Sequence, residues 1–289
     1  MKIAAATYPL DWFANWEGYE AKMAEWVTEA AGAGADLLLF PEYGAMELAS
    51  LGGIAPDDLG AATGAVVELL PRANEILSGL AQAHGVHILA PSGPAMDGDR
   101  LVNRAAFLSP TGGRALQDKQ MMTPWEVTPW QVQGNGPVHV FDTALGKIGV
   151  LICYDSEFPL LGRMLVEQDV RLILVPSCTE TVAGYHRVRI GSMARALEGQ
   201  CFTAMSSTTG AYPIEAVEQN HGAGGIFCPP DKGLPETGIV AVGDLDRPGW
   251  TYADLDMTLL DNVRRAGGVR TLADWPAQTA ARIETVTLA

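Results

Sequence analysis

Histidine and cysteine are scarce in this 289-residue chain, and its cations are outnumbered. The five histidines are scattered. His84 and His87 lie close together, but on a turn entering a strand and without an acidic companion, which argues against a metal site. The four cysteines, at 153, 178, 201 and 228, include no pair at the short spacing of a zinc knuckle or a redox dithiol. No secretory leader is recognisable, so a reducing cytoplasm is the expected compartment. Lysine and arginine number 19 against 34 aspartates and glutamates, a formal net charge of −15. Such a surface repels phosphate backbones and anionic lipid, which sets nucleic acid and membranes aside as partners. No apolar run approaches the roughly 20 residues of a membrane span. Gly-x-Ser-x-Gly, Gly-x-Gly-x-x-Gly and Walker motifs are missing, as are repeats and linkers.

What the chain does have is apolar content, 48% of residues, enough for a sizeable core. One domain over 1–289 fits best, with 268–289 as a tail. Strand patterns fall at 3–7, 36–40, 86–90, 101–109, 114–118, 147–152, 171–175, 201–206, 224–227 and 238–242. Between them, Tyr19, Met23, Trp26, Val27 and Ala30 repeat at helical spacing behind Asn15 as a cap. A long helical stretch over 57–84 reads as broken near Pro71 and closed by Gly85. Further helices are expected at 158–168, around Ile190 to Leu197, and at 254–266. The 101–118 pair reads as antiparallel, so the sequence predicts an α/β fold with a mixed sheet, or two of them, rather than a plain doubly wound one. Residues 120–137 form an irregular loop carrying Trp125, Glu126 and Trp130, the composition of a pocket wall.

The strand over 147–152, built from Ile148, Val150, Leu151 and Ile152, ends in the thiol of Cys153. A thiol between a buried strand and the next helix sits at the carboxyl edge of a sheet, where α/β folds place their sites. The helix beyond it favours a thiolate. Taken alone, the commoner reading is a packed core cysteine. Two other strand ends carry chemistry: Glu42 follows the 36–40 strand and Lys119 follows the 114–118 strand.

The segments Leu38-Leu39-Phe40-Pro41-Glu42, Asp118-Lys119 and Gly146-Lys147-Ile148-Gly149-Val150-Leu151-Ile152-Cys153-Tyr154-Asp155 resemble the three signatures of the nitrilase superfamily, the carbon–nitrogen hydrolases. Phe158-Pro159, Pro176-Ser177, Arg195-Ala196-Leu197-Glu198 and Gly224-Gly225-Ile226 resemble further blocks, in the same order along the chain. The resemblance implies a four-layer αββα sandwich and a catalytic trio of Glu42, Lys119 and Cys153 that needs neither metal nor organic cofactor. The residue types suit those roles. At an ordinary pKa near 8.5 a thiol is about one part in thirty ionised at neutral pH and needs a base, which a buried carboxylate provides. A lysine beside acids stays cationic and stabilises an oxyanion, together with the Tyr154 backbone N–H. The plainer alternatives are a helix cap for Glu42 and a solvated turn charge for Lys119.

Glu126 resembles the substrate-orienting glutamate of the amidase branches, the alternative being an exposed loop acid. Gln120-Met121 departs from the commoner His-Leu at that place. Tyr154-Asp155 after the cysteine resembles amidases rather than nitrile-cleaving members. The expected activity is therefore hydrolysis of a small carboxamide through a cysteine thioester. Carbamoyl-amide hydrolysis or acyl transfer by the same trio, or a catalytically silent binding relative, are the alternatives.

Trp125, Trp130 and Tyr185 are candidate aromatic faces for substrate, and Cys178 reads as either a pocket wall or a core residue. Glu157 either faces the pocket, disfavouring anionic substrates, or caps the following helix. Arg187, Arg189 and Arg195 are expected to pair with carboxylates. The resemblance also implies a homodimer or larger assembly through 158–168, 187–198 and the tail beyond Gly267.

Overall fold

The computed structural model describes residues 1–55 and 58–288. In chain order the first half holds β1 (Lys2–Pro9), α1 (Trp16–Gly32), β2 (Leu37–Leu39), α2 (Leu59–His84), β3 (His87–Leu89), β4 (Gly93–Asp97), β5 (Arg100–Leu108) and β6 (Arg114–Asp118). A short helix α3 (Pro124–Val127) precedes β7 (Val140–Thr143), β8 (Gly146–Val150), α4 (Pro159–Glu167), β9 (Leu172–Ser177), α5 (Val182–Gly199) and β10 (Phe202–Ala211). The last part adds β11 (Gln219–Asn220), β12 (Gly225–Phe227), β13 (Ile239–Val242), β14 (Gly249–Asp254), α6 (Met257–Ala266) and α7 (Thr271–Asp274).

The strands run in the order β4-β5-β3-β2-β1-β10-β9-β8-β7, with β6 on β5, β14 on β1, and β12 on β10. The two halves of this curled sheet join where β1 and β10 pair in parallel, Thr7–Pro9 against Ser207–Thr209. Alternation along β1 explains the layering, because successive strand side chains point to opposite faces. Ala4, Ala6 and Tyr8 pack with Leu38, Phe40 and Ile88 against Tyr19, Met23 and Val27 of α1 and Val66, Leu70 and Leu77 of α2. Ile3, Ala5, Leu37 and Leu39 turn the other way, into a core shared with Ile148, Val150, Ile173 and Val175. Leu165 of α4 and Val188 and Ala196 of α5 close that second core. The result is the four-layer αββα sandwich.

Helix α2 corrects the expected break at Pro71: it is continuous over 26 residues with Pro71 inside it. A helix-interior proline costs about 3 kcal/mol. Val66, Leu70, Ala73, Leu77 and Ala81 form one buried stripe on either side of it, and each large apolar side chain contributes about 1.5–3 kcal/mol. The stripe outweighs the proline, which sits on the exposed face. Asp57, where that helix was expected to begin, lies outside the described residues. Strands β4, β7 and β14 were not expected from the sequence, and β14 displaces the start of the 254–266 helix to Met257, behind Asp256 as its cap. No helix among the described residues is long and apolar enough to cross a membrane.

Candidate active site

Four side chains sit just beyond the carboxyl ends of four strands: Glu42 after β2, Lys119 after β6, Cys153 after β8 and Cys178 after β9. All four line one cavity of about 430 Å³. Lys119 is its electrostatic centre. Its ammonium donates to Glu42 Oε1 at 2.7 Å and to both oxygens of Glu126, at 2.8 and 2.7 Å. Two carboxylates on one ammonium leave a surplus negative charge, and all three side chains are buried. Unpaired burial of charge is costly, so the remaining lone pairs need donors. Glu42 accepts from Asn103 Nδ2 and from the Cys178 N–H, each at 3.0 Å. Glu126 accepts from the Tyr43 hydroxyl at 2.7 Å and from the Thr123 N–H and Oγ1, both at 2.9 Å. Thr123 and Glu126 are thus the capping box of α3 as well as part of the cluster.

These contacts set the protonation states. Burial raises the Glu42 carboxyl, and Lys119 offsets only part of that rise. Burial also opposes ionisation of Glu126, but Lys119 and the Thr123 and Tyr43 hydrogen bonds reverse it and hold that carboxyl below its ordinary value. Lys119 shows the same reversal: burial would lower it, while Glu42 and Glu126 drive it well above the usual lysine value. The cation is fixed. Burial pushes the Cys153 thiol well up, and the charge on Glu42 pushes it further, with Lys119 pulling back. Cys153 is therefore a thiol at rest, beside a carboxylate of raised basicity.

Cys153 adopts a left-handed backbone, φ 50°, at a cost of about 1–2 kcal/mol for a residue with a side chain. Its surroundings fix that turn. Ser156 Oγ donates to the Cys153 carbonyl at 2.7 Å, and Arg195 Nη1 donates to the Ser156 carbonyl at 2.8 Å. Helix α5 comes so close that a Cβ on Gly191 would stand 2.9 Å from that same carbonyl oxygen. Asp155, also buried, accepts from the N–H groups of Ile152 at 3.0 Å, Gln120 at 3.1 Å and Met121 at 2.7 Å. It therefore ties the loop after Lys119 to the turn carrying Cys153. Asp155 stood in the motif, but sequence reasoning gave it no role. Ser92, Asn103 and Tyr43 were missed outright: Ser92 Oγ donates to Asn103 Oδ1 at 2.7 Å and accepts from the Tyr43 N–H at 3.1 Å.

Of the candidate substrate-contacting residues, Trp125, Glu126, Tyr154, Glu157 and Cys178 all line the cavity. Trp130 does too, stacked on Tyr43 with centroids 4.5 Å apart and bonded through Nε1 to Thr63 of α2 at 2.8 Å. The aromatic loop is a pocket wall. Tyr185 is not part of it; the side chain is buried among core residues, while its helix neighbours Gly184, Arg187 and Val188 face the cavity. Glu157 does not cap α4, whose N-terminus has no side-chain cap. It lies 3.7 Å from Arg187. Arg195 pairs with Glu198 at 2.8 Å, as expected for this helix.

Known proteins resemble the chain in sequence and in fold. The family profile described as carbon-nitrogen hydrolase matches residues 2–259. "Probable hydrolase YhcX" of Bacillus subtilis is 30% identical over 275 residues, 95% of this chain and 53% of that one, so the chain spans about half that relative's length. "Omega-amidase NIT2" of Danio rerio is 22% identical over 247 residues, covering 83% of each. The solved structure of a carbon-nitrogen hydrolase from Helicobacter pylori G27 shares the fold, with a TM-score of 0.76 at 13% identity over 98% of this chain and 95% of that one.

Proposed function

The chain belongs to the carbon–nitrogen hydrolase family, and from that premise we propose that it is an amidase that cleaves a small carboxamide through a thioester on Cys153. The observation that carries the reading is the grouping of Cys153, Glu42 and a doubly paired Lys119 in one cavity. Cys153 attacks the amide carbonyl carbon as its proton passes to Glu42. The carbonyl oxygen becomes an oxyanion held by Lys119 and the Tyr154 N–H. Collapse breaks the C–N bond, Glu42 returns the proton to the departing nitrogen, and ammonia leaves. Water then attacks the thioester with Glu42 again as base, releasing the acid and restoring the thiol. Glu126 keeps Lys119 oriented throughout and lines the same cavity. The amidase name of the NIT2 relative supports this choice of substrate class.

The test is ammonia release from a panel of small amides by wild type and Cys153→Ala. The wild type turns over at least one amide; the variant falls at least about a thousandfold while melting within a few degrees of wild type. Appreciable turnover by Cys153→Ala would sink the assignment. The reading extends to assembly as a homodimer. Leu160 and Met164 on α4 and Ile190 and Leu197 on α5 are exposed, an apolar face beside the elements that hold Cys153. Sedimentation at micromolar concentration gives a dimer if this is right and only monomer if it is wrong.

A further inference from the structure

The charge around the cavity is lopsided once Glu42, Lys119 and Glu126 are set aside. The other charged lining residues are Glu157, Glu180, Glu215, Glu218 and Arg187. Arg187 and Glu157 answer one another across 3.7 Å. Among the described residues, Glu180, Glu215 and Glu218 take part in no ion pair, and all three are exposed at the mouth. They come from two separate places, the approach to α5 and the turn Glu215–Val217 before β11, and meet only in the fold. The buried cluster behind them adds its own surplus negative charge. A concave, partly apolar mouth focuses such a field more than a flat surface does. The walls are aromatic, with Trp125 and Tyr154 among the lining residues, side chains whose rings attract cations.

We infer that the amide accepted by this site carries a cationic group, an ammonium or guanidinium, extending from the carbonyl toward Glu180, Glu215 and Glu218. The inference rests on the amidase reading for its site and adds the charge of the substrate. Each exposed carboxylate contributes on the order of two- to fivefold at low salt. Three acting together therefore separate a cation from an anion by about thirtyfold. Arg187 does not reverse this, because Glu157 already neutralises it. A carboxylate-bearing amide would meet all three glutamates with no free cation to receive it.

Two measurements decide it. In the first, wild type is given butyramide, 4-aminobutyramide and succinamate, matched in chain length and differing in charge, with ammonia release as the readout. In the second, Cys153 is labelled with a trimethylammonium-ethyl or a sulfonatoethyl methanethiosulfonate. Each rate is followed by peptide mass and divided by that reagent's rate with a free small thiol. The expected cation-to-anion labelling ratio is about thirtyfold at about 20 mM salt. It should fall to within about threefold at about 500 mM salt, and likewise in the combined variant Glu180→Gln, Glu215→Gln, Glu218→Gln. A ratio near one in wild type, or one unchanged in the variant, overturns the inference, as does faster turnover of succinamate than of 4-aminobutyramide. Absence of ammonia from all three amides counts against the amidase reading instead, and the labelling ratio then still decides the question of charge.

Discussion

Glu42 and Glu47 head two buried lysine–glutamate assemblies on one short stretch of chain, and they are built to opposite ends. Glu47 is wholly buried and pairs with Lys22; it accepts from the Tyr8 hydroxyl at 2.7 Å and from the Asp11 N–H at 2.6 Å. Lys22 in turn donates to the Pro9 carbonyl at 2.6 Å, pairs with Asp11 at 2.7 Å and lies over the Tyr8 ring at 4.1 Å. There too two carboxylates meet one ammonium, but Asp11 is exposed to water, and none of these groups lines the cavity. The Glu42 assembly has both of its carboxylates buried on one ammonium, an open side toward the cavity and a thiol at hand. Burial and ion pairing are common to both and so mark neither as a site. The second buried carboxylate and the open face separate them: one assembly fastens β1 to the turn Gly44–Gly52, the other stands in the cavity wall beside a thiol.

Removing each lysine tests that difference most sharply. Lys119→Met should lower kcat/KM for amide hydrolysis at least about a hundredfold, because the oxyanion loses its cation and Glu42 and Glu126 are left to share a proton. Lys22→Met should leave kcat within about threefold. It should cost about 1–3 kcal/mol in denaturant unfolding, below the 3–5 kcal/mol usual for a broken buried pair. The cost is limited because burial pushes Glu47 up to about 7 against the pull of Lys22, so the orphaned carboxyl escapes by taking a proton. A Lys22 variant as inactive as the Lys119 variant would erase the distinction.

A third effect concerns pH. With Glu47 at about 7 in the fold and near 4.5 when unfolded, the folded protein keeps a proton that the unfolded chain has lost. The contribution is therefore fully present below pH 4.5 and is lost as pH rises toward 7. Glu47→Gln removes that titration, so relative to wild type it should gain about 3 kcal/mol between pH 4.5 and 7. Parallel stability curves for the two proteins would show that Glu47 is charged throughout.

The trio was legible because each member follows a recognisable strand within a short motif. Its supports were not. Asn103, held by Ser92, meets Glu42 only because β5 crosses antiparallel to β4 and lies beside β3, a pairing that local pattern does not announce. Glu215 and Glu218 reach the mouth from far along the chain. Tyr185, expected as an aromatic face for substrate, is instead buried in the core, because helical rotation separates it from Arg187, which does line the cavity. Pro71 misled because a local rule about proline was outweighed by a stripe of contacts spread over the whole of α2.

Strand β1 has one more consequence, for the time course of synthesis. Its permanent neighbours include β10, paired from Thr7 to Ser207, and β14, paired from Lys2 to Asp254. At about 5–20 residues per second, the ribosome delivers β14 some 10–50 s after β1. During that interval a strand of small and apolar residues has β2 along one edge but no partner along the edge that β14 will take, and pairings this distant in sequence close slowly. A nascent chain stalled before β14 is thus expected to be protease-sensitive along its first strand, and the emergence of β14 to be the event that covers that edge.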